Sequence, residues 1–248
     1  VCTLVNLITI LILTRGMLDD SIILWLFTQI FGIANTPSCL KGFATGSVNG
    51  ALWTIFTEVQ LYIFLGNIYQ WTRKLKKAGW YVLLVVAAII NLICNYLAIN
   101  IGGNIAKIIE RIFLPYSIWF LIGVFCYQNR GWIISVIKKH LWILLLVFVL
   151  NQKCNICTIG YYEDILTSVL LPLITIGLAY MLPPVRLKCD ISYGIFLYHW
   201  IVINVMMYLD LFMKIEWYIC GIIFCASTLL LAWLSWKYVG NKIKNCFN

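Results

Sequence analysis

Apolar residues fill nine stretches of this chain, at about 2–14, 21–34, 52–71, 79–100, 108–128, 140–150, 165–182, 191–209 and 217–236, and polar residues gather between them. None of these stretches carries a consistent polar stripe. That excludes both the amphipathic period of a soluble surface helix and the alternation of a half-buried strand. Helices that are apolar nearly all round belong in lipid, where a spanning backbone must satisfy its own hydrogen bonds. A spanning helix takes about 20 such residues. The 21–34 stretch falls short of that and reads as an interfacial or re-entrant piece, while 140–150 gains length if it begins earlier, since 132–137 is also largely apolar. The pattern predicts an all-α, polytopic transmembrane helix bundle. No repeat, low-complexity tract or linker divides residues 1–248, which read as a single membrane domain.

Composition narrows the class. Of 248 residues, 63% are hydrophobic and only 11% charged, and the mean hydropathy is +0.94. Too few charges remain to give so large an apolar content a polar surface, which excludes a soluble enzyme, a disordered chain and a secreted disulfide scaffold. The net charge of +9 is scattered in short clusters, unlike the aromatic-lined basic face of a nucleic-acid binder. Membrane topology accounts for it better. Arg73, Lys74, Lys76 and Lys77 follow 52–71; Arg130, Lys138 and Lys139 follow 108–128; Arg186 and Lys188 follow 165–182; and Lys237, Lys242 and Lys244 lie in the tail. Weaker sites at Lys41, Lys107, Arg111, Lys153 and Lys214 fall between them. The alternation predicts a cytoplasmic C-terminus; the N-terminal side depends on whether 21–34 spans.

Cys94, Cys126, Cys220 and Cys225 lie in apolar stretches, where cysteine behaves as a small hydrophobe. The Cys154-Asn-Ile-Cys157 pair has no second CxxC and no nearby His to complete a zinc site. It reads as loop cysteines, with a disulfide open if that loop is extracytoplasmic.

Ionisable groups inside spans are costly and mark candidate sites. Glu58 lies seven residues into the stretch beginning at Leu52, with Thr54 and Tyr62 one turn to either side. Chemistry and an interhelical structural bond are both open to it. His199 sits inside Ser192-Tyr-Gly-Ile-Phe-Leu-Tyr-His-Trp200, where a proton-carrying role competes with simple packing. Glu110 and Arg111 point about 100° apart on a helix and cannot pair with each other. His140 reads as interfacial. Asp190 stands where an acidic side chain caps a helix.

Three stretches, in order, carry a resemblance. Val48-Asn-Gly-Ala-Leu-Trp-Thr-Ile-Phe-Thr-Glu-Val-Gln-Leu-Tyr62 resembles the signature "(V)NGSLWTL..E...Y", with Ala51 where Ser is usual. Arg111 followed by Phe120-Leu-Ile-Gly123 is similar to an Arg-then-"F..G" helix. Asp190-Ile-Ser-Tyr-Gly-Ile-Phe-Leu-Tyr-His-Trp200 resembles "DISYGIYLYHWP", with Ile201 replacing Pro. Leu234-Ser-Trp-Lys-Tyr238 is a weaker match to "LSY..IEKP", with Val239 and Gly240 where an acidic residue and its neighbour are usual. These motifs resemble the acyltransferase-3 family of integral membrane O-acyltransferases, in its cell-surface polysaccharide (O-antigen) O-acetylase branch.

The resemblance implies a bacterial inner-membrane enzyme moving an acyl group, acetyl by expectation, from acyl-CoA as donor substrate to a hydroxyl of a surface or lipid-linked polysaccharide, with no tightly bound cofactor, no metal and no nucleic-acid partner. It makes Glu58 the catalytic candidate. Asn49, Trp53, Tyr62, Arg111, Ser192, Tyr193 and His199 become candidates for binding substrate or framing the site. The family fold has about ten helices; with 21–34 as a short extracytoplasmic interfacial helix, this chain supplies about eight spanning helices. The family's essential His and a preceding Arg lie in its first helix, and an R-x-x-R element follows its second; neither matches here. The chain begins at Val1 inside an apolar stretch, so the expectation is an N-terminally truncated sequence, inactive by itself. Two other readings stay open. A non-catalytic remnant of such an enzyme would fold without turning over. A transporter or flippase for a small solute or lipid-linked sugar would carry internal repeats and broken helices. Reporter fusions test the topology: Gly79 is expected to read cytoplasm and Lys153 exterior, and the reverse would overturn it.

Overall fold

The structure is a computed structural model of the chain, and it describes residues 2–13, 19–30, 36–183 and 189–241. Every regular element among the described residues is helical: α1 (Cys2–Leu13), α2 (Ser21–Ile30), α3 (Leu52–Thr72), α4 (Lys77–Asn100), α5 (Gly103–Arg111), α6 (Ser117–Gln128), α7 (Arg130–Cys154), α8 (Ile165–Met181), α9 (Ser192–Tyr208), α10 (Leu211–Lys214) and α11 (Trp217–Ser235), the last running on through a π-helical turn, Trp236–Gly240. Lys77–Asn100, Arg130–Cys154 and Trp217–Gly240 are each long and apolar enough to cross a membrane, and a fourth span arises if the bent pair Gly103–Arg111 and Leu114–Gln128 is one. Cys2–Ile12 and Ile165–Met181 are apolar but shorter. The outward faces are apolar too. On α4, Val82, Val85, Val86, Ile89 and Ile93 are exposed, and on α7, Trp142, Ile143, Leu146 and Val149. Apolar surface of that extent suits lipid, not water.

Two boundaries differ from the sequence expectation. The 108–128 stretch is not one helix: α5 ends at Arg111 and the chain bends by 52° before α6. The break falls at Ile112, whose backbone is extended (φ −97°, ψ 155°), in a stretch where the hydrophobic pattern runs on undisturbed, and Pro115 stands at the start of the short 3-10 turn Leu114–Tyr116 that follows, where its missing N–H is tolerated. Conversely, Arg130, Lys138 and Lys139 do not lie in a loop. They belong to α7, which is continuous from Arg130, because Arg and Lys are good helix formers and the one weak former near them, Gly131, falls in the helix's first turn, where it is tolerated. Arg15, Arg186, Lys188, Lys242 and Lys244 fall outside the described residues.

The contacts divide the chain into two compact units, one of residues 1–56 with 186–248 and the other of residues 57–185, the boundary falling within α3. In the first, Ile10, Ile22, Trp25, Leu40 and Val48 form one core, and α9 packs between α1 and α11. Gly194 permits the α9–α11 approach, since a Cβ there would lie 2.9 Å from the Ala232 backbone. In the second, Trp80, Ala87, Ile118, Leu121, Ile122 and Phe125 join α4 to α6, and α7 lies along α8.

Loops of the second unit are tied down by buried amides. Asn91, fully buried on α4, donates to the Pro115 carbonyl (2.9 Å) and the Tyr161 carbonyl (3.3 Å) and accepts from the Tyr161 N–H (2.9 Å). Asn151 donates to Asp164 and to the Thr167 hydroxyl and accepts from the Cys157 N–H at 2.9 Å. Asp164 caps α8 by accepting from the Thr167 N–H at 2.8 Å. Burial works against the charged carboxylate of Asp164, but hydrogen bonds from Thr167 and Asn151 outweigh it and hold its pKa below the ordinary 3.8. The cap therefore stabilises the fold above that value and is lost as pH falls through the lowered pKa.

Candidate functional site

The first motif begins as a helix start. The Asn49 side chain accepts from the Ala51 N–H at 3.0 Å, satisfying one of the donors that the beginning of α3 leaves open. Its amide group donates to the Leu197 carbonyl on α9 at 3.1 Å, and Asn49 is buried. Gly50 follows with no room for a side chain: a Cβ there would stand 2.5 Å from the Trp200 ring. That ring cannot easily move aside. Its N–H donates to the Thr45 hydroxyl (3.2 Å) and the Ser47 carbonyl (3.3 Å). One turn on, Asn204 accepts from the Thr45 hydroxyl (2.7 Å) and N–H (3.3 Å) and donates to the carbonyls of Ser47 (2.9 Å) and Val48 (3.0 Å). Leu197, Trp200 and Asn204 recur at three- and four-residue spacing, so a single face of α9 carries the joint. The two longest motifs are thus one structural unit.

Around this joint lie the other candidates of the first unit. Trp53 stands in the first turn of α3, half-buried. Ser192 opens α9, its N–H and hydroxyl both donating to Asp190 at 3.1 and 2.6 Å; those bonds, the hydroxyl's first, lower the Asp190 pKa. Tyr193 is exposed and lines, with Asp190, Gly194, Tyr198, Ser235 and Trp236, a cavity of about 460 Å³. Across it Tyr198 donates to the Ser235 hydroxyl at 3.2 Å. His199 holds its Nδ1 3.3 Å from the Ile195 carbonyl. A carbonyl only accepts, so Nδ1 is the donor in this bond.

Glu58, Tyr62 and Arg111 belong to the second unit. Tyr62 donates to the exposed Glu58 carboxylate at 2.5 Å, one turn along α3, and its ring meets Phe120 edge-on with centroids 5.9 Å apart. Arg111 is the exposed last residue of α5 and has no ion-pair partner among the described residues. What ties it down is its backbone, through a residue the sequence did not single out. Gln60 donates to the Arg111 carbonyl at 2.9 Å and accepts from the Phe113 N–H at 3.1 Å. Gln60 lies about 200° around the helix from Glu58, so this clamp occupies the other face of α3. Asn91, Asn151 and Asn204 were missed as well; their one sequence signal is a polar amide inside an apolar stretch. Both thiols of the Cys154 and Cys157 pair are free.

A helical membrane protein with a carboxylate–phenol pair on one apolar helix is the class these features define. The acyltransferase domain family known as acyltransferase-3 matches residues 1–237, and the chain belongs to it. No curated protein and no solved structure matches. Membership makes the chain a membrane acyltransferase in general terms. Gly50→Ala is expected to destabilise the protein by about 1–3 kcal/mol through overpacking against Trp200, read as a lower thermal midpoint in detergent. Gly66→Ala, where a Cβ meets nothing within 4 Å, serves as the control; equal loss in both variants would contradict the joint.

Proposed function

We propose that this protein is a multi-pass O-acyltransferase of the bacterial inner membrane, with its C-terminus in the cytoplasm, which transfers an acetyl group from acetyl-CoA to a hydroxyl of a cell-surface or lipid-linked polysaccharide such as an O-antigen. On this reading the apolar stretches supply eight spans of one functional domain. The observation that carries it is the Glu58–Tyr62 pair, a carboxylate and a phenol hydrogen-bonded one turn apart on an apolar helix, in a chain that belongs to an acyltransferase family.

The chemistry needs a hydroxyl deprotonated as it attacks a thioester carbonyl. The new O–C bond forms, the C–S bond breaks, and the proton lost by the alcohol reaches the departing thiolate. Glu58 is placed to accept a proton or to hold the group that does, with Tyr62 fixing its rotamer. Asn49, Trp53, Ser192, Tyr193 and His199 frame the region where α3 begins and α9 runs, and Arg111 supplies a cation that lipid would not tolerate uncompensated. Arg73, Lys74 and Lys76 in the turn after α3 and Lys77 at the start of α4 form a basic cluster suited to an anionic donor as well as to membrane anchoring.

Glu58→Gln, in the protein expressed from its own gene, is expected to lower acetylation of the surface glycan by about 100-fold or more, the scale of a lost general base, while membrane insertion persists. Wild-type acetylation in that variant would remove Glu58 from the site.

A further inference from the structure

The second unit contains a cleft of about 520 Å³, well away in sequence from the Glu58–Tyr62 pair, lined by Trp119, Tyr162, Glu163, Leu171, Pro172, Thr175 and Ile176. Its volume and its mostly apolar lining with a few polar groups are those of a small-molecule site. Four observations give it a character. First, Tyr162 is 70% exposed on a backbone with φ of +67°. For a bulky side chain that left-handed conformation is an outlier which persists only when the surroundings enforce it, and such strain gathers at ligand sites. Second, the surroundings do enforce it. Asn91 holds both the N–H and the carbonyl of Tyr161, Asp164 caps α8, and Gly160 lets the Glu163 carbonyl approach so closely that a Cβ would lie 2.2 Å from it. Third, the Tyr162 ring stands edge-on to Trp119, centroids 6.1 Å apart, with Tyr116 behind both at 5.7 and 6.3 Å, so the aromatic wall is braced. Fourth, the Glu163 carboxylate is exposed at the rim and has no hydrogen-bond partner among the described residues.

An exposed aromatic face beside a carboxylate matches a sugar ring. Its axial C–H groups present an apolar face for the rings, and its equatorial hydroxyls present donors for the carboxylate. A lipid chain would use the apolar lining alone and leave the Glu163 carboxylate without a partner, and an anionic headgroup would be repelled. On the topology proposed above, the α7–α8 loop faces outward. We infer that the Trp119–Tyr162–Glu163 cleft is the subsite that holds a neutral sugar ring of the glycan acceptor. This rests on the glycan-acyltransferase reading and adds to it the residues that choose the acceptor.

The test measures binding without turnover. The protein in lipid nanodiscs is titrated with the methyl glycosides of glucose, galactose, mannose and rhamnose, followed by saturation-transfer NMR on the sugar ring protons. Wild type is expected to transfer saturation to at least one of the four. Tyr162→Ala and Glu163→Gln, both exposed positions that leave the core intact, are each expected to weaken that signal's titration at least tenfold, while Trp71→Ala, an exposed residue at the end of α3, leaves it unchanged. No transfer to any of the four sugars, or transfer unaltered in both cleft variants, overturns the inference. So does quenching of Trp119 fluorescence by nitroxide-labelled lipid chains, read in a variant retaining that tryptophan alone, which would show the cleft filled by lipid. Sugar binding with no effect of Glu58→Gln on glycan acetylation would tell against the catalytic reading and not the cleft. Lost acetylation in Glu58→Gln with no sugar binding would do the reverse.

Discussion

A backbone that leaves its helical run against a packed interior strands N–H and carbonyl groups away from water, and among the described residues that constraint is answered in the same way five times. At each break a side-chain amide accepts from one stranded N–H and donates to nearby oxygens. Asn49 serves Ala51, Gln60 serves Phe113, Asn91 serves Tyr161, Asn151 serves Cys157 and Asn204 serves Thr45. An amide suits this because it offers donor and acceptor at once and stays neutral. Each such bond nets only about 0.5–1.5 kcal/mol. Leaving a buried backbone group unpaired costs more, about 1–3 kcal/mol. The contribution of these residues therefore lies in what their loss would expose.

The candidate chemistry sits on top of that framework. Asn49 starts α3 and ties its first turn to α9. Gln60 holds the α5–α6 break against one face of α3 and leaves Glu58 and Tyr62 to the other. The motif residues thus divide by labour: Asn49, Gly50, Gly194 and Trp200 bring helices together, whereas Glu58, Tyr62, Arg111 and Tyr193 are exposed.

The helical class was legible because lipid demands uninterrupted apolar stretches, and α4, α8, α9 and α11 fall close to where hydropathy puts them. The α5–α6 bend was not, because it falls at the extended Ile112 within a stretch whose hydropathy does not change. The α7 start was misread because charge suggested a loop where helix propensity prevailed. Of the site, Glu58 and Tyr62 were legible as an i, i+4 pair, and their bond follows. The amide clamps were not, since an Asn in an apolar helix does not reveal which distant loop it serves. The cleft at Tyr162 depends on loop strain that composition leaves no trace of.

Amide hydrogen exchange in lipid nanodiscs tests the central claim most directly. The N–H groups of Thr45, Ala51, Phe113, Cys157 and Tyr161, though outside regular helix, are expected to exchange far more slowly than that of Asn155 in the α7–α8 loop. Asn91→Ala is expected to release Tyr161 while leaving Ala51 protected. Exchange of the five at the rate of open loops, or protection of Tyr161 unchanged by Asn91→Ala, would contradict it.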